Sequence, residues 1–264
     1  MNELALFAGA GGGILGGHLL GWRTVCAVEW ESYPASVLCA RQNDGLLPSF
    51  PIWDDIQTFD GKPWRGIVDV VSGGFPCQDI SSAGKGAGID GERSGMWKEM
   101  ARVIYEVRPK FVFVENSPML ASRGLGVVLA DLAKMGFDAR WGVLGAANIG
   151  ANHERGRMWI SARQREFLSH SKYNRIGWWK QQSKSVEETK SRMANTIKLR
   201  TQRQSKNSTK SSEWIDSPSW WQTEPNVGRM ANGVAAGMDR LKAIGNGQVP
   251  LCAAVAWELL NERL

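Results

Sequence analysis

Short runs of β-branched and other apolar residues alternate with helix-periodic segments along the first part of the chain. The strand-like runs are residues 4–7, 24–28, 67–72, 111–115 and 157–161. The helix-like segments between them are residues 14–21, 32–42, 96–107 and 123–136. Strands that alternate with helices predict a parallel sheet with helices on both faces. The predicted fold class is therefore α/β, with a doubly wound, mostly parallel sheet.

A polar and basic stretch, residues 163–234, interrupts this alternation and ends in a cluster of tryptophans. It predicts a small irregular lobe. Regular patterning then returns, with a long apolar helix that begins at about Pro250, a residue suited to the first turn of a helix. We therefore predict a first domain over residues 1–162, the small basic lobe over 163–234, and a C-terminal segment, 235–264, that returns to the first domain.

Charge is distributed unevenly along the 264 residues. The net charge is +6, but residues 163–210 alone carry 13 Lys and Arg against 3 Asp and Glu, so the rest of the chain is net negative. A basic excess confined to one segment favours a nucleic-acid partner for that segment. The alternative is a solvated, partly disordered basic insert.

The four cysteines (Cys26, Cys39, Cys77 and Cys252) are scattered and form no CxxC pair. This spacing is typical of free thiols, so we expect no zinc or other metal site. The N-terminus lacks a basic leader, and no apolar run is long enough to cross a bilayer. We expect a cytoplasmic protein, and most of its cysteines to be inert core residues.

Residues 4–17 (LALFAGAGGGILGG) read as a strand, a glycine turn and a helix. This is a nucleotide-binding pattern, because glycines admit a ligand close to the backbone and a helix N-terminus offers free N–H groups. Glu29 stands at the carboxyl end of the second strand, where an acid binds ribose hydroxyls, and Trp30 beside it is suited to cover an adenine. We predict an adenosine-type cofactor; the alternative is a tight turn without a ligand.

Two further strand ends carry reactive side chains at the same edge of the predicted sheet. The third strand leads through Pro76 to Cys77, a candidate nucleophile, and then into a glycine-rich loop, residues 79–95, that resembles an active-site lid. The fourth strand ends at Glu115, and an acid that leaves an apolar strand is suited to donate protons near neutral pH. The alternative for Cys77 is a buried thiol in a turn.

Arg155 and Arg157 alternate at the start of the last strand-like run, which predicts that both side chains point to one side of that strand. A solvated strand edge is the alternative for such a pair.

Seven short motifs, taken together and in this order, resemble the DNA (cytosine-5) methyltransferase family. They are FAGAGG at 7–12, EW at 29–30, DI at 55–56, GFPCQ at 74–78, EN at 115–116, RGR at 155–157 and GN at 245–246. The resemblance covers residues 4–161 and about 240–260. It implies a class I methyltransferase fold, which is Rossmann-like, with a small target recognition lobe. It also implies S-adenosylmethionine as the cofactor and double-stranded DNA as the substrate.

The resemblance also implies a role for each catalytic residue. The thiolate of Cys77 would add to carbon 6 of a flipped-out cytosine, and Glu115 would hydrogen-bond to N3 and the amino group of the base. Arg155 would contact O2, and Arg157 would support Glu115. Carbon 5 would then accept the methyl group.

The cofactor residues implied by the resemblance fall into three groups. The methionine end and the turn would be bound by Phe7, Gly9, Gly11 and Gly12. Glu29 would hold the ribose, Trp30 and Ile56 would sandwich the adenine, and Asp55 would take its amino group. The rest of the pocket would be lined by Pro76, Met96 and Asn246.

The sequence departs from the family pattern at His153, at Ser117 and at Gln248. A small apolar residue is commoner at the position of Gln248. The recognition lobe is also short for this family. Alternative functions are an RNA cytosine-5 methyltransferase of the same fold, a nicotinamide- or flavin-dependent oxidoreductase, and a catalytically silent DNA-binding relative. We expect a monomer of restriction-modification type that binds neither a membrane nor a metal.

Overall fold

The computed structural model describes residues 1–76, 95–165 and 237–262. The strands are β1 Asn2–Leu6, β2 Arg23–Val28, β3 Ile52–Trp53, β4 Val70–Gly73, β5 Phe111–Asn116, β6 Phe137–Leu144 and β7 Arg157–Gln164. The helices are α1 Gly12–Leu19, α2 Ser32–Asn43, α3 Met96–Val107, α4 Leu120–Arg123, α5 Leu125–Lys134, α6 Gly237–Asn246 and α7 Pro250–Asn261. None of the helices in these ranges combines the length and apolar character that a membrane span requires.

All seven strands form one sheet in the order β3-β2-β1-β4-β5-β7-β6. The pairs from β3 to β5 are parallel, whereas β7 runs antiparallel to both β5 and β6. The prediction of a doubly wound, mostly parallel sheet is therefore confirmed. The chain winds outward in one direction from β1 and in the other from β4, and ligands bind at such a switch point beyond the carboxyl ends of the strands.

The sequence patterns missed two strands and misplaced several boundaries. The two-residue β3 is too short to show a pattern, and β6 alternates irregularly, with Trp141 and Val143 exposed on it. The helix predicted over residues 123–136 corresponds mainly to α5, and its first residue is the last residue of α4. Gly124, with a φ of 155°, separates the two helices. The strand predicted over residues 67–72 corresponds to β4, which begins at Val70. The side chain of residue 67 is half exposed.

The C-terminal helix α7 packs directly onto the first part of the chain. Its residues Pro250 and Ala253 lie so close to Gly16 in α1 that a Cβ at that glycine would stand 2.7 Å from the Ala253 methyl carbon. Trp257 meets the ring of Trp22 edge-on at 4.6 Å. The predicted boundaries at 162, 234 and 235 stay predictions, since residues 166–236 lie outside the described part of the chain.

A carboxyl group that the sequence analysis did not single out is buried in the middle of the sheet. Glu3 of β1 is 1% exposed and accepts hydrogen bonds from the hydroxyls of Thr24 in β2 and Ser72 in β4, each at 2.6 Å. Burial raises the pKa of Glu3 to about 7, against the smaller opposing effect of the two hydroxyls. The acid therefore bridges three adjacent strands.

We predict that Glu3→Gln removes part of the pH dependence of stability. An acid with a raised folded-state pKa stabilises the fold fully below about pH 4.5 and loses that contribution as the pH rises through about 7. The free energy of unfolding of the variant, measured with urea, should fall less than that of wild type between about pH 5 and about pH 8, by roughly 2 kcal/mol. The variant Glu154→Gln, at an exposed position, is the control and should behave like wild type. The prediction would be refuted if the free energy of unfolding fell equally with pH in wild type and in both variants.

Candidate active site

The glycine turn after β1 is held in place by the end of the neighbouring strand β2. Phe7, Gly9 and Gly11 all have positive φ angles, of 52°, 55° and 89°. The N–H of Gly9 donates to the Glu29 carboxylate at 2.7 Å, and the N–H of residue 8 donates to the carbonyl of residue 28. No atom lies within 4 Å of the position that a Cβ on Gly9 would take, so the turn is open there.

Glu29 stands at the carboxyl end of β2, as predicted, and is 8% exposed. Its two oxygens accept backbone N–H groups from Gly9 at 2.7 Å and from Glu31 at 2.8 Å. Burial raises the pKa of Glu29, and the two N–H donors oppose that shift. Each carboxylate oxygen has two acceptor sites, so the group can still receive hydroxyl donors such as those of a ribose.

At the next three glycines, other parts of the protein occupy the space that a side chain would take. A Cβ on Gly11 would stand 2.8 Å from the Leu38 side chain, and one on Gly12 or Gly13 would collide with Gln248. Gly11 thus leaves room for α2, and Gly12 and Gly13 leave room for the C-terminal segment, which is a constraint that the motif alone did not reveal.

The predicted adenine residues lie in very different surroundings. Trp30 is 73% exposed, whereas Ile56 is 5% exposed and belongs to the core. Asp55 is partly buried and accepts the backbone N–H of Gln57 at 2.9 Å. Arg102 of α3 fixes this loop by donating to the Ile56 carbonyl at 2.6 Å.

Several of the predicted residues line one pocket at the carboxyl ends of β1 and β4. Predicted site residues on its wall are Phe7, Gly9, Glu115 and Asn246. Gly74 and Gln248 also line it. The open left-handed turn, the buried carboxylate beside it and the apolar strand ends are features that suit an adenosine cofactor with a charged sulfonium end. Met96, the first residue of α3, is not among the lining residues.

Glu115 is the most strongly perturbed acid at this edge of the sheet. It lies near the end of β5, is 8% exposed, and its carboxylate pairs with the Nε of Arg157 at 2.8 Å. Burial raises the pKa of Glu115 to about 7, although the charges of Arg157 and Arg155 and a hydrogen bond from Gln248 oppose the shift. The group can therefore exist in both protonation states near neutral pH, as predicted for a proton donor.

Arg155 and Arg157 reach this site by different routes, which corrects the prediction that both alternate along a strand. Strand β7 begins at Arg157, and Arg155 precedes it with a φ of 33°. The Arg155 guanidinium donates to the carbonyls of Gly245 (2.8 Å) and Gly247. Arg155 therefore ties the segment before Gln248 to the active-site edge, whereas its predicted contact with a base stays a prediction.

The chain that leads to Cys77 is anchored beside Glu115. Asn116 donates its side-chain amide to the Phe75 carbonyl at 3.1 Å, and Phe75 is buried against the Trp97 ring with 5.5 Å between centroids. Pro76 follows and is exposed. Cys77 and almost all of the predicted lid, residues 79–95, lie outside the described residues, so the thiol and the lid stay predictions.

The strand order β3-β2-β1-β4-β5-β7-β6, with β7 antiparallel to both of its neighbours, is that of the class I methyltransferase fold. A sequence model of the C-5 cytosine-specific DNA methylase family matches residues 1–252. The chain belongs to the C-5 cytosine-specific DNA methylase family. Enzymes of this family use S-adenosylmethionine as the methyl donor.

Curated relatives match the chain over part of their length. It is 38% identical over 136 residues to the type II methyltransferase M.PspPI from Psychrobacter sp. (strain TA137), which is 50% of this chain and 32% of that protein. It is 31% identical over 168 residues to M.CviJI from Paramecium bursaria Chlorella virus IL3A, which is 63% of this chain and 44% of that protein. The chain thus spans less than half the length of each of these two relatives.

Solved structures share the fold. A DNA modification methyltransferase encoded within an Escherichia coli prophage aligns with a TM-score of 0.53 at 20% identity, covering 65% of this chain and 49% of that one. DNMT2 from Spodoptera frugiperda aligns with a TM-score of 0.52 at 19% identity, covering 66% of this chain and 53% of that one. These likenesses confirm the predicted fold class.

We predict that Glu29→Gln weakens the binding of S-adenosylmethionine, measured by titration calorimetry, by roughly tenfold to a hundredfold. The two backbone N–H groups are bound by different oxygens of Glu29, and an amide replaces one of these oxygens with an NH₂ group that cannot accept. Hydrogen bonds to a charged acceptor are also the stronger ones. Glu31→Gln is the matched control. Its exposed side chain pairs with Lys242, an interaction worth little in water, so binding should change less than about fivefold. Equal affinities of the two variants would contradict the assignment of Glu29.

Proposed function

We propose that this protein transfers a methyl group from S-adenosylmethionine to carbon 5 of cytosine in duplex DNA. One observation carries the proposal. Glu115, a buried acid with a pKa of about 7, lines the same pocket as the open glycine turn at Gly9. An acid of this kind at the cofactor site is what pyrimidine methylation requires, and the family membership supports the same chemistry.

Carbon 5 of cytosine is not nucleophilic by itself, so the enzyme must first add electrons to the ring. In the proposed mechanism the thiolate of Cys77 forms a bond to carbon 6, and the displaced electron pair moves toward N3. Glu115 donates a proton or a hydrogen bond at N3, which neutralises that charge and makes carbon 5 enamine-like. Carbon 5 then takes the methyl group, and N3 returns the proton it accepted to Glu115. Water removes the proton from carbon 5, and the electron pair of that bond forms the double bond to carbon 6, expels Cys77 as a thiolate and restores the aromatic ring.

S-adenosylmethionine supplies an electrophilic methyl group on a sulfonium when it is bound. We propose that Glu29 holds its ribose and that Phe7 and Gly9 border its methionine end, because these residues surround the open turn. The remaining proposed contacts come from the family resemblance; they are Gly11, Gly12, Trp30, Asp55, Ile56, Pro76, Met96 and Asn246.

DNA is the proposed polymer substrate, and the target base has to leave the duplex because carbon 6 is hidden in the stack. We propose that the basic residues 163–234 bind the DNA phosphates, and that residues 1–162 and 235–264 form the catalytic part. The family description and the names of the curated relatives support DNA as the substrate. Family membership also argues against the oxidoreductase alternative.

We predict that fluorocytosine-containing duplex DNA traps a covalent complex with the wild-type protein in the presence of S-adenosylmethionine. Fluorine at carbon 5 cannot leave as a proton, so Cys77 stays bonded to carbon 6. The complex should survive denaturing electrophoresis, and Cys77→Ala should form none. Cys39→Ala, an exposed cysteine outside the site, is the matched control and should trap like wild type.

The same assay separates the alternatives. Trapping on fluorocytosine-containing tRNA but not on duplex DNA would favour the RNA methyltransferase. A wild-type protein that forms no complex with either polymer would contradict the proposal and favour the silent relative.

A further inference from the structure

Gln248 occupies a position between the glycine turn and the catalytic acid. It follows α6, which ends at Asn246, and precedes Pro250, the first residue of α7. Its side chain is partly buried and lines the pocket together with Glu115.

The backbone around Gln248 is fixed on both sides. Arg155 donates to the carbonyls of Gly245 and Gly247, and the Gly247 N–H donates to the Ala243 carbonyl at 2.8 Å. The Gln248 carbonyl rests against Gly12, where any side chain would collide with it. A residue held on this backbone presents its side chain in a defined direction.

The side chain of Gln248 lies between Gly13 in α1 and Gly74, which follows β4. Its Oε1 lies against Gly13, and its Nε2 lies 3.2 Å from the position that a Cβ on Gly74 would take. The Glu115 Oε2 lies 2.8 Å from that same position, so the amide and the carboxylate meet above Gly74. Because a carboxylate oxygen only accepts, the amide turns its NH₂ toward Glu115 and donates the hydrogen bond.

In addition to the neutral amide of Gln248, three charged or titratable groups interact with Glu115. Arg157 pairs with Oε1 at 2.8 Å, while Arg155 and Cys252 are close enough to interact with it electrostatically. Within residues 1–76, 95–165 and 237–262, Arg157 and Gln248 are thus the two side-chain donors to this carboxyl. Removing the amide leaves one donor and lets the carboxyl rotate about its last bond.

We propose that Gln248 is a positioning residue for methyl transfer: its amide orients the Glu115 carboxyl toward the target base and couples that carboxyl to the glycine turn of the cofactor pocket. This inference rests on the proposed function. The amide acts through Glu115 and need not touch the base itself.

The test compares Gln248→Met with wild type. Methionine keeps the length of the side chain but has no donor. We expect the single-turnover rate of methyl transfer at neutral pH to fall roughly tenfold, and the alkaline limb of its pH profile to move about one pH unit higher, since loss of a donor disfavours the ionised acid. The dissociation constant for S-adenosylmethionine should stay within about threefold of wild type.

Gln248→Glu and Gln164→Met serve as comparison variants. A second carboxyl beside Glu115 should move the alkaline limb further in the same direction, because like charges disfavour ionisation. Gln164 lies at the far end of β7 from Arg157, so Gln164→Met repeats the chemical change outside the site and should match wild type.

A measurement on the free protein separates this inference from the proposed function. Carbon-13 NMR titration of the Glu115 carboxyl, assigned with Glu115→Gln, should give a higher pKa in Gln248→Met than in wild type, whether or not the protein methylates DNA. An unchanged pKa would overturn the inference. It would also be overturned if cofactor affinity fell more than about tenfold while the pH profile stayed in place, since Gln248 would then be a wall of the cofactor pocket. Failure of wild type to methylate any DNA would overturn the proposed function.

Discussion

The ion pair between Glu115 and Arg157 is the interaction on which the proposed chemistry depends. A carboxyl that is 8% exposed would be costly to ionise without a partner, and the guanidinium at 2.8 Å offsets part of that cost. Burial remains the larger effect, so the pKa of Glu115 stays raised, at about 7. Topology makes the pairing possible: β7 runs antiparallel to β5, so its first residue lies beside the carboxyl end of β5.

The pocket is completed by residues from both ends of the chain. The first strand and its turn supply Phe7 and Gly9, and the segment before α7 supplies Asn246 and Gln248. Small residues at the crossing points let the two parts approach, because side chains at Gly12, Gly13 or Gly16 would collide with the C-terminal segment. The same two parts of the chain therefore border the pocket and approach Glu115.

The sequence predicted the parallel strands except the two-residue β3, and it predicted the positions of Glu29 and Glu115, since buried strands and the side chains at their ends leave strong local patterns. It did not predict β6, whose exposed Trp141 blurs the alternation, or the left-handed Arg155, which depends on carbonyls 90 residues away in sequence. The partners of Glu3 are also set by strand order, which no local pattern contains. Cys77 was recognised by its motif and lies outside the described residues.

The most direct test of this account is a crystal structure of the protein covalently trapped on fluorocytosine-containing duplex DNA. The account predicts a bond from the Cys77 sulfur to carbon 6 of an extrahelical base, with a Glu115 oxygen roughly 2.6–3.2 Å from N3 of the same ring. A trapped base whose N3 is bound by other groups, with Glu115 paired only to Arg157 and remote from the ring, would contradict it.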